Sequence, residues 1–110
     1  MPESTEVIWF EQHVLSLPEL AELSGLPAPV LEELLDCGAI APLDPVSSQL
    51  QFGAVALRTA RTARRLRSDF ELDIEALALA LSLLDRVAQL EAQVQELRAK
   101  LPQRHSTGLR

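Results

Sequence analysis

The C-terminal part of the chain carries the pattern that most restricts its fold. Apolar residues recur there at spacings of 4, 3, 4, 3 and 4, with mostly polar residues between them: Leu83, Val87, Leu90, Val94, Leu97 and Leu101. This spacing keeps one apolar seam on one side of a helix and is typical of a coiled coil. The seam could pack within the chain or pair with a second copy. Because it runs further than a small domain can cover, homodimerisation through these six residues is the better hypothesis.

Two short helices are predicted in the N-terminal half. The first covers residues 18–24, with Pro18 in its first turn, acidic residues near its start and Gly25 as a stop. The second covers residues 28–37, where apolar residues have helical spacing and Gly38 follows as a left-handed cap. Two short helices joined by a tight turn predict a helix-turn-helix.

The flanking segments extend this motif into a single small domain. Residues 7–17 suit a short strand or an ordered arm, and residues 39–52, with two prolines around a polar centre, could form a wing-like hairpin. Residues 53–67 predict a helix with alanines on one arc and a basic outer face formed by Arg58, Arg61, Arg64 and Arg65.

The predicted organisation has three parts. Residues 1–72 contain the N-terminal arm and the winged helix-turn-helix with its basic helix 53–67. Residues 73–101 form the C-terminal apolar and coiled-coil helix, with Asp73 as its N-cap. Pro102 ends that helix, and residues 102–110 predict a disordered tail. A chain of 110 residues has room for one modest core.

Charge is distributed unevenly along the chain. Residues 1–57 contain nine acidic residues and no Lys or Arg, whereas the remainder contains ten basic and seven acidic residues, so the two parts carry −9 and +3. Proteins that bind duplex DNA specifically commonly neutralise roughly 6 to 10 phosphates. The helix that would enter the major groove instead carries Glu32, Glu33 and Asp36, so DNA is an unfavoured partner.

An acidic helix-turn-helix favours a basic protein partner. The candidate partner-binding residues are the acids of the two short helices: Glu19, Glu22, Glu32, Glu33 and Asp36. The alternative is that these acids only keep the surface hydrated. The basic face of helix 53–67 could touch a DNA backbone, but neutralisation by the nearby acids between residues 69 and 75 is the favoured interpretation.

The residues that catalysis needs are sparse. Cys37 is the single cysteine, which excludes an internal disulfide and a multi-cysteine zinc site, and its apolar surroundings predict a buried structural thiol. His13 and His105 have no partner motif, and there is no phosphate-binding loop or nucleophile elbow. We therefore expect no enzyme activity, no cofactor, no metal and no small-molecule substrate. With no signal or membrane segment, the expected location is the cytoplasm.

The order of helix-turn-helix, wing, basic helix and coiled-coil helix resembles the MerR superfamily. The residues that carry the resemblance are Leu20-Ala21-Glu22-Leu23-Ser24-Gly25-Leu26 and Gly38-Ala39-Ile40-Ala41-Pro42. The short form of this layout, ending in Leu79-Ala80-Leu81-Ser82-Leu83-Leu84-Asp85, is more particularly similar to the CbpM family of chaperone modulators. The fold class expected is therefore mostly α, a MerR-like winged helix-turn-helix followed by a C-terminal coiled-coil helix.

The same resemblance implies a function. CbpM proteins bind the J-domain of the DnaJ-like co-chaperone CbpA and restrain its stimulation of the DnaK ATPase. J-domains share a basic second helix that docks on DnaK. A competitor with an acidic surface would attract that basic helix electrostatically. Two alternatives stay open: a DNA-binding transcription regulator of the MerR superfamily, and a scaffold protein with a degenerate helix-turn-helix that binds neither partner.

Overall fold

The computed structural model describes residues 13–102, which form four helices. These are α1 (Leu17–Ser24), α2 (Ala28–Asp36), α3 (Ala54–Phe70) and α4 (Ile74–Ala99). The only β pairing between residues 13 and 102 is a bridge that joins Leu15 to Phe52. The mostly helical class is thereby confirmed. The predicted arm up to residue 12 and the predicted tail from residue 103 lie outside the described residues.

Local capping groups define α1 and the turn that follows it. The Ser16 hydroxyl accepts a hydrogen bond from the Glu19 N–H at 3.2 Å, and the Glu19 carboxylate accepts one from the Ser16 N–H at 2.8 Å. This reciprocal capping box satisfies two N–H groups at the helix start. At the other end Gly25 adopts the left-handed conformation with φ 85° and donates to the Ala21 carbonyl. The predicted helix and its glycine stop are confirmed.

Helix α2 buries Leu31 and Leu34 and ends one residue earlier than predicted, at Asp36. Cys37 is the C-cap, and Gly38 follows with a φ of 85°, as the sequence predicted. The prediction of a buried thiol was wrong, because Cys37 is exposed. The chain leaves the helix at this residue, which is exposed although its Sγ donates back to the Leu34 carbonyl at 3.4 Å.

The segment between α2 and α3 consists of turns and bends closed by a few isolated pairings. The Leu43 N–H donates to the Gln51 carbonyl at 2.8 Å, and Leu15 and Phe52 exchange two bonds of 2.8 Å. A regular hairpin ladder is absent from residues 39–52. Pro42 and Pro45 have no N–H to donate, which is one reason why this wing is an irregular loop.

One hydrophobic core joins the four helices. It consists of Leu15, Leu20, Leu26, Leu31, Leu34, Ile40, Phe52, Ala56, Leu57, Ala60, Ala63, Leu77 and Leu81. Helix α1 packs against α2 and α3, while α4 packs against α2 and α3. The alanines of α3 lie inside as predicted, and the helix continues three residues further than expected, to Phe70. Alanine at these positions lets neighbouring helices approach closely.

Helix α4 begins inside the domain and leaves it. The Asp73 carboxylate accepts a hydrogen bond from the Ala76 N–H at 2.9 Å, which confirms the predicted N-cap. Leu77 and Leu81 are buried, whereas every residue from Ser82 to Ala99 is exposed. At 1.5 Å per residue these 18 positions extend about 27 Å beyond the core. The helix ends at Ala99, so Leu101, the last residue of the predicted seam, lies beyond it.

Candidate partner-binding surfaces

The outer surfaces of α1 and α2 form an acidic face, defined by Glu19, Glu22, Glu32, Glu33 and Asp36. All five predicted partner-binding residues are exposed. On α2 the buried leucines turn inward and leave Glu32, Glu33 and Asp36 outside, with Glu32 and Asp36 one turn apart. Glu19 differs from the others because its carboxylate caps α1 through Ser16. The helix that a DNA-binding protein would place in the major groove thus presents anions to solvent.

Helix α3 carries a basic face on its solvent side. Arg58, Arg64 and Arg65 are exposed there as predicted, and Arg61 is half-buried. Arg67 in the last turn is also exposed, but it lies seven residues after Ala60 and four after Ala63, so it is on the alanine side of the helix and not on the basic face. The Arg64 side chain lies over the turn after α1, so that a Cβ built on Gly25 would lie 2.8 Å from its Nε. Acidic and basic faces therefore meet at the α1–α2 turn.

The seam of α4 lies on the side of the helix that faces away from the domain. Leu81 is 6% exposed and Leu90 is 43% exposed, although both are leucines of the same helix. They are separated by nine residues, or about two and a half turns, which places them on opposite sides. The six seam residues have exposed fractions between 43% and 64%. The chain's own domain therefore does not cover the seam and does not obstruct a second helix there.

A groove of about 960 Å³ lies on the opposite side, between α3, α4 and the loop after α2. Its walls are mainly small and apolar, including Ala54, Ala78, Leu81 and Ala88 together with the loop residues 39–43. Arg58 of α3 and Asp85 of α4 also line the groove and are both exposed, and the Asp85 carboxylate accepts a hydrogen bond from Gln89 at 2.9 Å. We refer to this feature as the α3–α4 groove.

Sequence reasoning did not identify the α3–α4 groove. Its α4 wall follows a second stripe, Leu81, Asp85 and Ala88, at helical spacing, which the stronger seam pattern obscures. The other wall requires the packing of α3 on α4, which no local pattern specifies. The alanines at helical spacing in α3 and α4 were the available signal for a groove. Alanine is compatible with a core, a surface and a groove alike, so these residues alone do not predict one.

The described part of the chain contains neither a cluster of metal-binding side chains nor a membrane-spanning helix. No group of three or more His, Cys, Asp or Glu residues between residues 13 and 102 could hold a metal ion. In the same range, no helix is long and apolar enough to cross a membrane.

The fold and these surfaces define a helix-turn-helix protein with a long, exposed C-terminal helix. Residues 15–99 match the family described as MerR HTH family regulatory protein, so the chain belongs to that family. The predicted resemblance to the MerR superfamily is thereby confirmed. The match extends from Leu15, which pairs with the wing, to the last residue of α4, and so includes all four helices.

Within this family the chain is similar to the chaperone modulatory protein CbpM. Three such relatives come from Coxiella burnetii strains Dugway 5J108-111, RSA 331 / Henzerling II and CbuG_Q212. Each is 28% identical over 83 residues, which cover 76% of this chain and 78% of the relative. The predicted likeness to CbpM is confirmed. The names of these matches describe regulatory or modulatory proteins, not enzymes.

Proposed function

We propose that this protein is a non-enzymatic chaperone modulator that binds the J-domain of a CbpA-type, DnaJ-like co-chaperone and restrains its action on DnaK. The similarity to CbpM across three quarters of the chain is the observation that carries this proposal. The acidic face supports it, because it offers five exposed carboxylates in a half of the protein that contains no Lys or Arg.

The proposed mechanism is steric competition. The basic second helix of a J-domain is the element that docks on DnaK, and an acidic face attracts it over a range of about one Debye length, roughly 8 Å at physiological ionic strength. Complementary charges mainly raise the association rate and select the partner. A J-domain held in this way cannot present the same helix to DnaK, and stimulation of the ATPase falls.

We further propose that the protein is a homodimer joined through the seam of α4. Leu83, Val87, Leu90, Val94 and Leu97 leave the domain on an exposed helix, with valine and leucine alternating as in two-stranded coiled coils. Leu101, beyond the helix end, would extend this seam by one residue. Six half-exposed apolar side chains in a row are in unfavourable contact with water in a monomer, and a second copy would cover them.

A DNA-binding transcription regulator is the second candidate. The family match and the exposed arginines of α3 favour it. The acidic face argues against it, because an α2 that carries Glu32, Glu33 and Asp36 would be repelled from the phosphates on either side of the major groove.

An equilibrium titration tests the proposal. The purified protein is titrated with the J-domain of the CbpA-like protein of its own organism, and with duplex DNA at low salt in parallel. We expect saturable binding to the J-domain and none to DNA. Saturable DNA binding without J-domain binding would establish the second candidate in its place, and binding to neither would leave a scaffold protein.

Charge reversal locates the contact. The double change Glu32→Lys and Glu33→Lys should weaken J-domain binding roughly tenfold or more, because exposed charge pairs contribute about 0.2–1 kcal/mol each and the reversal also adds repulsion. The control is Asp69→Lys with Glu96→Lys, which changes the net charge equally at exposed sites outside the acidic face. Equal affinities for the two double variants, with both folded by circular dichroism, would remove α2 from the contact.

A further inference from the structure

Several large apolar side chains of the α3–α4 groove are exposed in the described part of the chain. Val14, Leu43, Val55 and Leu84 line the groove, with exposed fractions between 47% and 69%. Its volume of about 960 Å³ is at the upper end of the range for ligand-binding clefts. Apolar surface collected in one cleft usually marks a place where other apolar groups bind.

The described chain begins at the wall of this groove. His13 and Val14, the first two described residues, both line it. Leu15 then forms an antiparallel bridge with Phe52, and the two partners of such a bridge run in opposite directions. The residues before Leu15 therefore lie beside those after Phe52, where α3 begins and where Val55 lines the groove. The chain that precedes His13 thus approaches the protein along this wall.

The sequence just before His13 contains a run of four apolar residues, Val7, Ile8, Trp9 and Phe10. Trp and Phe bury about 150–250 Å² each, more than most side chains. Trp9 is four residues from His13, so at 3.3–3.6 Å per residue it lies within about 14 Å of that residue. A segment tethered this closely has an effective concentration on the order of millimolar. Even a weak affinity for the groove would therefore keep the segment bound.

We infer that residues 7–10 of this chain pack in its own α3–α4 groove, with Trp9 and Phe10 against the apolar side chains of Val55 and Leu84. The occupant is selected by its connection to the groove wall and by its apolar side chains. The contact is intramolecular, so it requires neither a second copy nor a partner protein. It leaves the acidic face and the seam of α4 free for the roles proposed above.

Trp9 is itself the reporter for this contact. It is the single tryptophan of a chain without tyrosine, so tryptophan fluorescence of the full chain reports on this residue alone. Quenching by acrylamide measures how accessible the indole ring is to solvent. We expect the quenching constant to be several-fold lower in the folded protein than in urea.

Two matched substitutions assign the protection to the groove. Val55→Glu places a carboxylate on the groove wall, at an exposed position in the first turn of α3, where an acidic residue is compatible with the helix dipole. Covering that charge with apolar side chains is unfavourable, so the quenching constant should rise most of the way to its value in urea. The control Val46→Glu makes the same change at a 90% exposed valine that does not line the groove, and should leave quenching unchanged. Circular dichroism checks that both variants are folded.

A thermodynamic cycle provides a second measurement that does not use fluorescence. Trp9→Ala should lower the denaturation midpoint, followed by circular dichroism. In the Trp9→Ala protein, Val55→Glu should lower the midpoint less than it does in the unsubstituted protein, because the contact that it disturbs is already lost. Val46→Glu should have the same effect in both proteins. Additive effects of Trp9→Ala and Val55→Glu would contradict the inference.

Three fluorescence results would also overturn it. Equal quenching in the folded and denatured protein would show that Trp9 is not covered. Protection that survives Val55→Glu as fully as Val46→Glu would show that Trp9 packs elsewhere. Protection that is lost on dilution would show that the segment binds the groove of a second copy. None of these measurements includes a J-domain, so the proposed function stands or falls by its own titration.

Discussion

Replacing Leu90 by alanine measures whether the seam is an interface. In a single copy Leu90 is already 43% exposed, so the substitution removes few contacts, and alanine is the best helix former. Complete burial of a leucine contributes about 1.5–3 kcal/mol relative to full exposure, so covering the exposed part contributes about 1 kcal/mol per copy. A dimer contains this side chain twice. Leu90→Ala should therefore weaken dimerisation by about 2 kcal/mol, or roughly 30-fold in the dissociation constant.

Sedimentation equilibrium over a range of protein concentrations measures this constant for both proteins. The matched control is Leu81→Ala, the same change on the opposite side of the same helix, where the leucine is 6% exposed. That variant should lose about 2–5 kcal/mol of folding stability, seen as a lower denaturation midpoint. Two results would refute the assignment of the seam as an interface. One is an unsubstituted protein that sediments as a monomer at micromolar concentration, and the other is a Leu90→Ala protein with an unchanged dimerisation constant.

Two further predictions concern local structure. Asp73→Ala removes the acceptor of the Ala76 N–H and should lower the free energy of unfolding by about 1 kcal/mol and the thermal midpoint by several degrees. The control Asp69→Ala, at an exposed position of α3, should change the thermal midpoint little. Cys37 is exposed although its Sγ donates to the Leu34 carbonyl, so its thiol should react with a maleimide in the folded protein, at a rate somewhat below that in the denatured protein. A reaction slowed by orders of magnitude on folding would show that the thiol is covered.

Most of the helices could be predicted because their signals are local. Ser16, Glu19 and Gly25 act within one or two turns of the backbone that they cap, so the boundaries of α1 follow from residues near each other in sequence. The same holds for Asp73 at the start of α4. The predicted boundaries differ from the structure by one to three residues, at helix ends, where side chains and backbone compete for the last hydrogen bonds.

The exposure of individual residues was less predictable, since it depends on contacts from distant parts of the chain. Leu20 and Leu23 share an apolar edge in sequence, yet Leu20 is buried and Leu23 is exposed. Ser24 takes the inner position, and its hydroxyl donates to the Ala21 carbonyl and accepts from the Leu26 N–H. Cys37 was misassigned for the same reason: its neighbours are apolar, but the helix ends at that residue and leaves it exposed.

The sequence by itself determined the helical class, the order of the elements, the acidic character of the helix-turn-helix and the presence of a seam. All of these follow from residue type and from spacings shorter than a few turns. Only the tertiary structure decided which side of α4 lies inside, since Leu81 and Leu83 are equally apolar and the packing of α2 and α3 buries the first of them. That choice directs the seam away from the domain and opens the α3–α4 groove on the other side. Burial is a property of the assembled core, and residues far apart in sequence establish it together.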